Sequence, residues 1–205
     1  MFITLEGPEG SGKSMQICDL AEFLRQQGYQ VLTTREPGGT FIGDQIREVI
    51  MRMDNTMMNP RTEILLFCAA RAQIVAEVIR PSLEKGLVVI SDRYADSTLA
   101  YQGYGHGLDL DILRQILHFA TGGLQPDLTL LLDVDVEEGL SRRRIGGGEW
   151  NRLDAQQLAF HQRVRQGYLK MAAEEPERWR IINARQKPDR VQVDIQTAIK
   201  EKFKK

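Results

Sequence analysis

The segment Gly7-Pro8-Glu9-Gly10-Ser11-Gly12-Lys13-Ser14 constrains this chain more than any other feature. It fits the pattern G-x-x-x-x-G-K-[ST] at every fixed position. Each residue type has a chemical reason. Glycines let the backbone curl until successive N–H groups point inward at phosphate oxygens. The helix that follows from about Lys13 aims its positive dipole end at the same place. Lys13 reaches the β- and γ-phosphates, and the Ser14 hydroxyl ligates Mg²⁺. The context agrees with the motif. Phe2–Glu6 is an apolar β-rich run ahead of the loop, and Ile17, Leu20, Ala21 and Leu24 repeat at helical spacing after it, with Gly28 as the C-terminal cap.

The same alternation of short apolar runs and amphipathic stretches continues along the chain. Val31–Thr34, Leu87–Ser91, Leu128–Asp133 and Arg180–Ile182 read as further strands, two of them near-continuously apolar, as strands buried on both faces are. Between them, Ile42, Ile46, Val49 and Met53 form an apolar stripe. Asn59-Pro60 opens a long helix to about Ile79. Asp135 with Glu138 makes a capping-box-like start for Val136–Arg143, and further helices run from about Asp154 to Ala173 and from Pro188 to Phe203. This predicts one α/β domain over residues 1–205, three-layered, with a five-stranded parallel sheet. The one break in composition is Arg142–Arg152, basic and containing Gly146-Gly147-Gly148. Ile64 to Ala70 is apolar all round, so that helix is either central to the core or meets a partner subunit.

The chain has 205 residues and a formal net charge of −1, which speaks against a general nucleic-acid binder. No apolar run approaches the ~20 residues that span a bilayer. The opening residues carry no basic, apolar signal-peptide pattern, and the two cysteines, Cys18 and Cys68, read as buried reduced thiols of a cytoplasmic protein. A guanine-nucleotide switch would need D-x-x-G, which the chain lacks.

In an open α/β sheet, ligands sit beyond the carboxyl ends of the strands. Arg35-Glu36-Pro37-Gly38-Gly39-Thr40 follows the second strand and Asp92-Arg93-Tyr94 the third, then Ser97, Tyr101 and Gln102. Arg93 offers a forked donor to a phosphate, and Asp92 a carboxylate for Mg²⁺ or for the acceptor. Phe67 and Arg71 share one helical face, as a stacking ring beside a guanidinium, or as plain core beside a surface charge.

Together with Pro126-Asp127-Leu128-Thr129, Leu132-Asp133-Val134 and Val164-Arg165 ahead of Tyr168, these segments resemble the bacterial thymidylate kinase family over essentially the whole chain. The resemblance implies a P-loop kinase that moves a phosphoryl group from MgATP to dTMP, usually as a homodimer. It implies that Glu9 holds the acceptor sugar hydroxyl, Phe67 stacks on thymine, Arg71 hydrogen-bonds the base and Arg93 binds the acceptor phosphate. Tyr101 then crowds the sugar 2′ position, while Glu36, Ser97 and Gln102 line the pocket. Family members carry a catalytic arginine either in the phosphate loop, where this chain has Gly10, or in a mobile lid, here about residues 142–153. Arg152 in Asn151-Arg152-Leu153-Asp154 best matches the family's D-R-x-E arginine, with Asn for Asp and Asp for Glu. Arg142, Arg143 and Arg144 remain alternatives, and Arg142 is also expected at the ATP. Ile182-Asn183-Ala184 is where the family contacts adenine.

Overall fold

The structure, a computed structural model, describes residues 1–146 and 150–203. Gly147 and Gly148, two of the expected lid glycines, lie outside the described residues, as do Lys204 and Lys205. Five parallel strands, β1 (Phe2–Glu6), β2 (Val31–Arg35), β3 (Val88–Asp92), β4 (Leu128–Asp133) and β5 (Trp179–Asn183), lie in the order β2-β3-β1-β4-β5. β1 therefore sits centrally, with Leu5 opposite both Asp92 of β3 and Leu130 of β4. All five residues of β1 are buried, which is why it reads as an unbroken apolar run. The strand order reverses at β1, and the crevice at its carboxyl end is where such a sheet binds ligands.

On one face, α1 (Lys13–Gln26) and α9 (Pro188–Phe203) pack Ile17, Leu20, Leu24, Val191 and Ile195 against Ile3, Leu5, Ile90 and Leu130. On the other lie α2 (Phe41–Met51), α3 (Pro60–Ile74), α6 (Leu110–Thr121) and α8 (Leu158–Glu174). The remaining helices are α4 (Arg80–Glu84), α5 (Ala95–Thr98) and α7 (Val136–Ile145). Two π-helical stretches, Val75–Ile79 and Leu99–Gly105, extend α3 and α5.

Several expectations shift. In α2 the buried line is Gly43 and Ile50 with half-buried Ile46, while Ile42 and Val49 face outward and Met53 lies past the helix end. The core line is thus displaced by one residue from the expected stripe. The helix from Pro60 passes Ile79 without a stop, because the π-helical turn feeds into α4. Asp135 caps α7 through the Glu137 N–H, but Glu138 is drawn away to Arg142 and Arg185, so the capping box is not closed. The α8 helix begins at Leu158 rather than Asp154, because the Asp154 carboxylate accepts from the Asn151 N–H and Arg143 in a preceding turn. Cys68 is buried as expected, whereas Cys18 is exposed, turned away from the α1 line that meets the sheet. In α3, Ile64, Phe67, Cys68 and Ala70 are buried, but Leu65 and Ala69 are exposed, so only part of the all-apolar stretch is core.

Candidate active site

β1 runs into the phosphate loop, where Gly7, Gly10 and Gly12 have φ of 144°, 69° and 88°. Gly10 is constrained in a second way. A Cβ there would lie 1.9 Å from the Gly139 carbonyl oxygen of α7, and a Cβ on Gly139 would lie 2.3 Å from the Glu9 carbonyl oxygen. Loop and helix meet backbone to backbone, so position 10 has no room for any side chain, an arginine included. Lys13 Nζ donates to the Gly7 and Pro8 carbonyls at 3.1 and 3.0 Å and to Ser11 Oγ at 3.2 Å. Burial, and then the charge of Arg93, push its ammonium down to about 8 despite the nearby Glu9, Asp92 and Glu6 carboxylates. Ser14 Oγ donates to Asp92 Oδ2 at 2.9 Å, bringing two hard oxygen donors together at the loop.

Arg93 is the hub. Its φ of 71° is the left-handed conformation that side chains avoid. Its fork donates to Glu9 Oε1 at 2.9 Å, Tyr101 OH at 3.0 Å, Tyr168 OH and the Gly7 carbonyl at 3.1 Å, and Ser97 Oγ at 3.2 Å. Its carboxylate partner is thus Glu9, not Asp92 or Glu36. Tyr101 OH also donates to Glu9 at 2.6 Å. Burial works against the Glu9 charge, but Arg93 and Lys13 outweigh it and hold the carboxyl at about 2. Beneath lies Glu6, accepting from the Tyr94 N–H, Ser97 Oγ and Tyr168 OH, and pushed up to about 7 by burial and by Asp96.

A cavity of about 900 Å³ opens over the loop from Glu9 to Ser14, and Asp92, Arg93, Glu36, Phe67, Ser97, Tyr101, Gln102 and Arg142 also line it. Gly7 and Pro8 are not in its wall, and neither are Arg71 and Arg152. Arg71 is buried rather than a surface charge. Its Nε donates to Glu36 Oε2 at 2.7 Å, and its terminal nitrogens to Thr98 Oγ1 and the Tyr94 carbonyl at 3.0 Å. Both Glu36 and Thr98 face the cavity, and Glu36 Oε1 is buried without a hydrogen-bond partner. Arg142 donates to the Ala184 carbonyl at 2.8 Å and to Glu138 at 2.6 Å. Arg144 stacks over Trp150. Arg152 points at α2 and α3, donating to the Ile50 carbonyl at 3.2 Å and to Glu63.

Arg35 of the expected acceptor loop and Leu153 of the expected lid also line the cavity, together with Arg47 and Thr98, which the sequence reading does not single out. A signal existed for Arg47. It falls between Gly43 and Ile50 on the buried line of α2, a position where a cation needs a reason. Arg35 ends β2 in register with Asp92.

The family model described as thymidylate kinase matches residues 5–195. The chain belongs to the thymidylate kinase family. Among its relatives, a thymidylate kinase of Roseiflexus sp. (strain RS-1) is 55% identical over 91% of this chain and 87% of its own length. A thymidylate kinase of Thermomicrobium roseum is 51% identical over 100% of this chain and 96% of its own. The crystal structure of thymidylate kinase from Ehrlichia chaffeensis superposes with a TM-score of 0.79 at 33% identity, covering 98% of each chain. Like other thymidylate kinases, the protein is a phosphotransferase acting on a nucleoside monophosphate. No helix among the described residues is long and apolar enough to cross a membrane.

Proposed function

We propose that this chain transfers the γ-phosphoryl group of MgATP to dTMP, giving dTDP and ADP. The observation that carries the reading is a single cavity in which a phosphate loop and a Phe67-walled pocket are joined by Arg93. Phosphoryl transfer asks for alignment and charge stabilisation more than covalent chemistry. Phosphate oxygens take the Lys13 ammonium from the loop carbonyls it now holds. Ser14 and Asp92 would hold Mg²⁺, which when bound would supply positive charge beside the phosphates. Arg93 binds the acceptor phosphate, with Glu9 and Tyr101 fixing its fork. Glu9 also accepts the sugar hydroxyl, while Tyr101 crowds the 2′ position and favours a deoxyribose.

Phe67 stacks on thymine, and Ser97 and Gln102 complete the polar lining. Arg71 acts on the base through Thr98 and Glu36, the two cavity residues that it orients. The lid that excludes water is assigned to about residues 142–153, of whose described residues Arg142 and Arg143 stand as cations in the cavity wall. The decisive experiment is coupled ADP release with MgATP, comparing dTMP, dUMP, dCMP, AMP and thymidine. Strong preference for dTMP is expected, and release no faster with any acceptor than without one would refute the reading.

The proposal includes a homodimer. Phe41 on α2, Leu65 on α3 and Phe119 on α6 are exposed by 80%, 59% and 88%, on helices that pack side by side. It also includes a cytoplasmic location, where nucleotides meet a reducing environment suited to free thiols.

A further inference from the structure

Glu63 lies on α3, one turn before Phe67, and is buried. Three groups from distant parts of the chain converge on its carboxylate. Gln102 Nε2 donates to Oε1 at 2.7 Å, Arg152 donates to Oε2, and His106 Nε2 stands 3.7 Å from Oε1. Arg152 also reaches the Ile50 carbonyl at the end of α2, so its guanidinium braces α2 and α3 together. The next residue, Leu153, packs into one cluster with Ile50 and Phe67. Because a carboxylate only accepts, Glu63 also fixes Gln102 with its amide nitrogen turned toward α3. Glu63 is absent from the cavity wall, yet Phe67, Gln102 and Leu153 are in it.

We propose that Glu63 is a positioning residue for the acceptor pocket. By holding Arg152 and Gln102 it clamps the 150–154 segment onto α2 and α3, and so fixes the wall around Phe67. Arg152 then serves the clamp rather than the transferring phosphoryl group. This rests on the reading of the Phe67 side of the cavity as the dTMP pocket.

The test is Glu63→Gln. The glutamine keeps an oxygen for Gln102 but turns a donor toward Arg152, so the clamp opens. The KM for dTMP is expected to rise about tenfold or more, with the KM for ATP unchanged within about twofold. A merely structural lesion would lower the active fraction, and hence kcat, without moving one KM alone. Should Glu63→Gln fold poorly, Arg152→Gln removes the same contact from the less buried side and must show the same split. The double variant must be no worse than the worse single variant, since the two residues act as a unit. Unchanged dTMP KM in both variants, or effects that multiply in the double, would overturn the clamp. A second measurement needs no turnover. In a Trp179→Phe background, Trp150 emission must shift to the red when Glu63 is replaced, and an unshifted spectrum overturns the clamp whatever the activity does. A wild-type enzyme inactive on dTMP but still showing that shift would refute the acceptor reading and leave the clamp supported.

Discussion

Arg93 illustrates what one residue does in this fold. Its backbone sits in a region that costs of order 1–3 kcal/mol for a side chain, and it persists there because its N–H donates to the Leu5 carbonyl and its fork is held on all sides. A lysine keeps the charge but not the planar fork, and would abandon Glu9 or the tyrosines. Arg93→Lys is therefore expected to lower kcat/KM for the acceptor by about 10²-fold or more, read in the ADP-release assay. Gly139 is a quieter case. It is an ordinary helical residue of α7, so alanine costs nothing in its own backbone, yet the new methyl would strike the Glu9 carbonyl. Carbonyl and helix are both backbone and cannot step aside. Gly139→Ala should displace the phosphate loop and raise the KM for ATP at least about tenfold while the helix itself stays folded. Unchanged ATP kinetics would mean that α7 can slide. The same contact explains why the phosphate loop of this chain carries no arginine at position 10.

At the scale of elements, the strands were legible because burial on both faces leaves an apolar run with no polar alternation, as in Leu128–Asp133. The phosphate loop was legible because its glycines and Lys13 have few substitutes. Helix faces were less so. The apolar stripe of α2 lies one residue off its buried line, because Phe41, Ile42 and Val49 are apolar yet exposed, and periodicity cannot separate a core face from a face awaiting a partner. Arg71 and Arg152 read as ligand contacts from sequence, because an arginine's sequence context does not reveal which carboxylate will take it. Glu36 and Glu63 take them here, across 35 and 89 residues of chain. The exposed faces of α2, α3 and α6 carry a prediction of their own. A charge at the centre of a self-association surface is costly, so Phe119→Glu or Leu65→Glu should convert a dimer to monomer in sedimentation equilibrium. A monomeric wild-type protein would remove the homodimer from the proposal.

At the scale of the whole molecule, Glu6 ties the central strand to the loop after β3, to α5 and to α8, the last through Tyr168. Its carboxyl is pushed up from 4.5 to about 7, by burial first and by the Asp96 charge second. The folded state therefore keeps a proton that the unfolded chain has lost. Between 4.5 and about 7 the native state binds more protons, so this group makes stability fall as pH rises, by up to about 3 kcal/mol across that window, and no further above it. Glu9 has the opposite sign but a different window. Held at about 2, it contributes stability that is fully present above 4.5 and lost only as pH falls toward 2, so it is flat where Glu6 acts. His106 and His161 are both pushed below 6.5 by burial, and they make stability rise with pH up to that value, masking part of the Glu6 slope. The difference between wild type and Glu6→Gln cancels the histidines. Glutamine resembles the protonated acid in size and charge, so it should match wild type at about pH 4, gain on it steadily to about pH 7 and keep a constant lead above that in urea unfolding. Parallel profiles would show that Glu6 is ionised throughout, and that its bonds from Ser97, Tyr168 and the Tyr94 N–H, with Arg93 above them, outweigh its burial. In that case the carboxylate beneath Arg93 holds a full negative charge at every working pH, and the Arg93 charge faces two anions, Glu9 through its fork and Glu6 through space, rather than one.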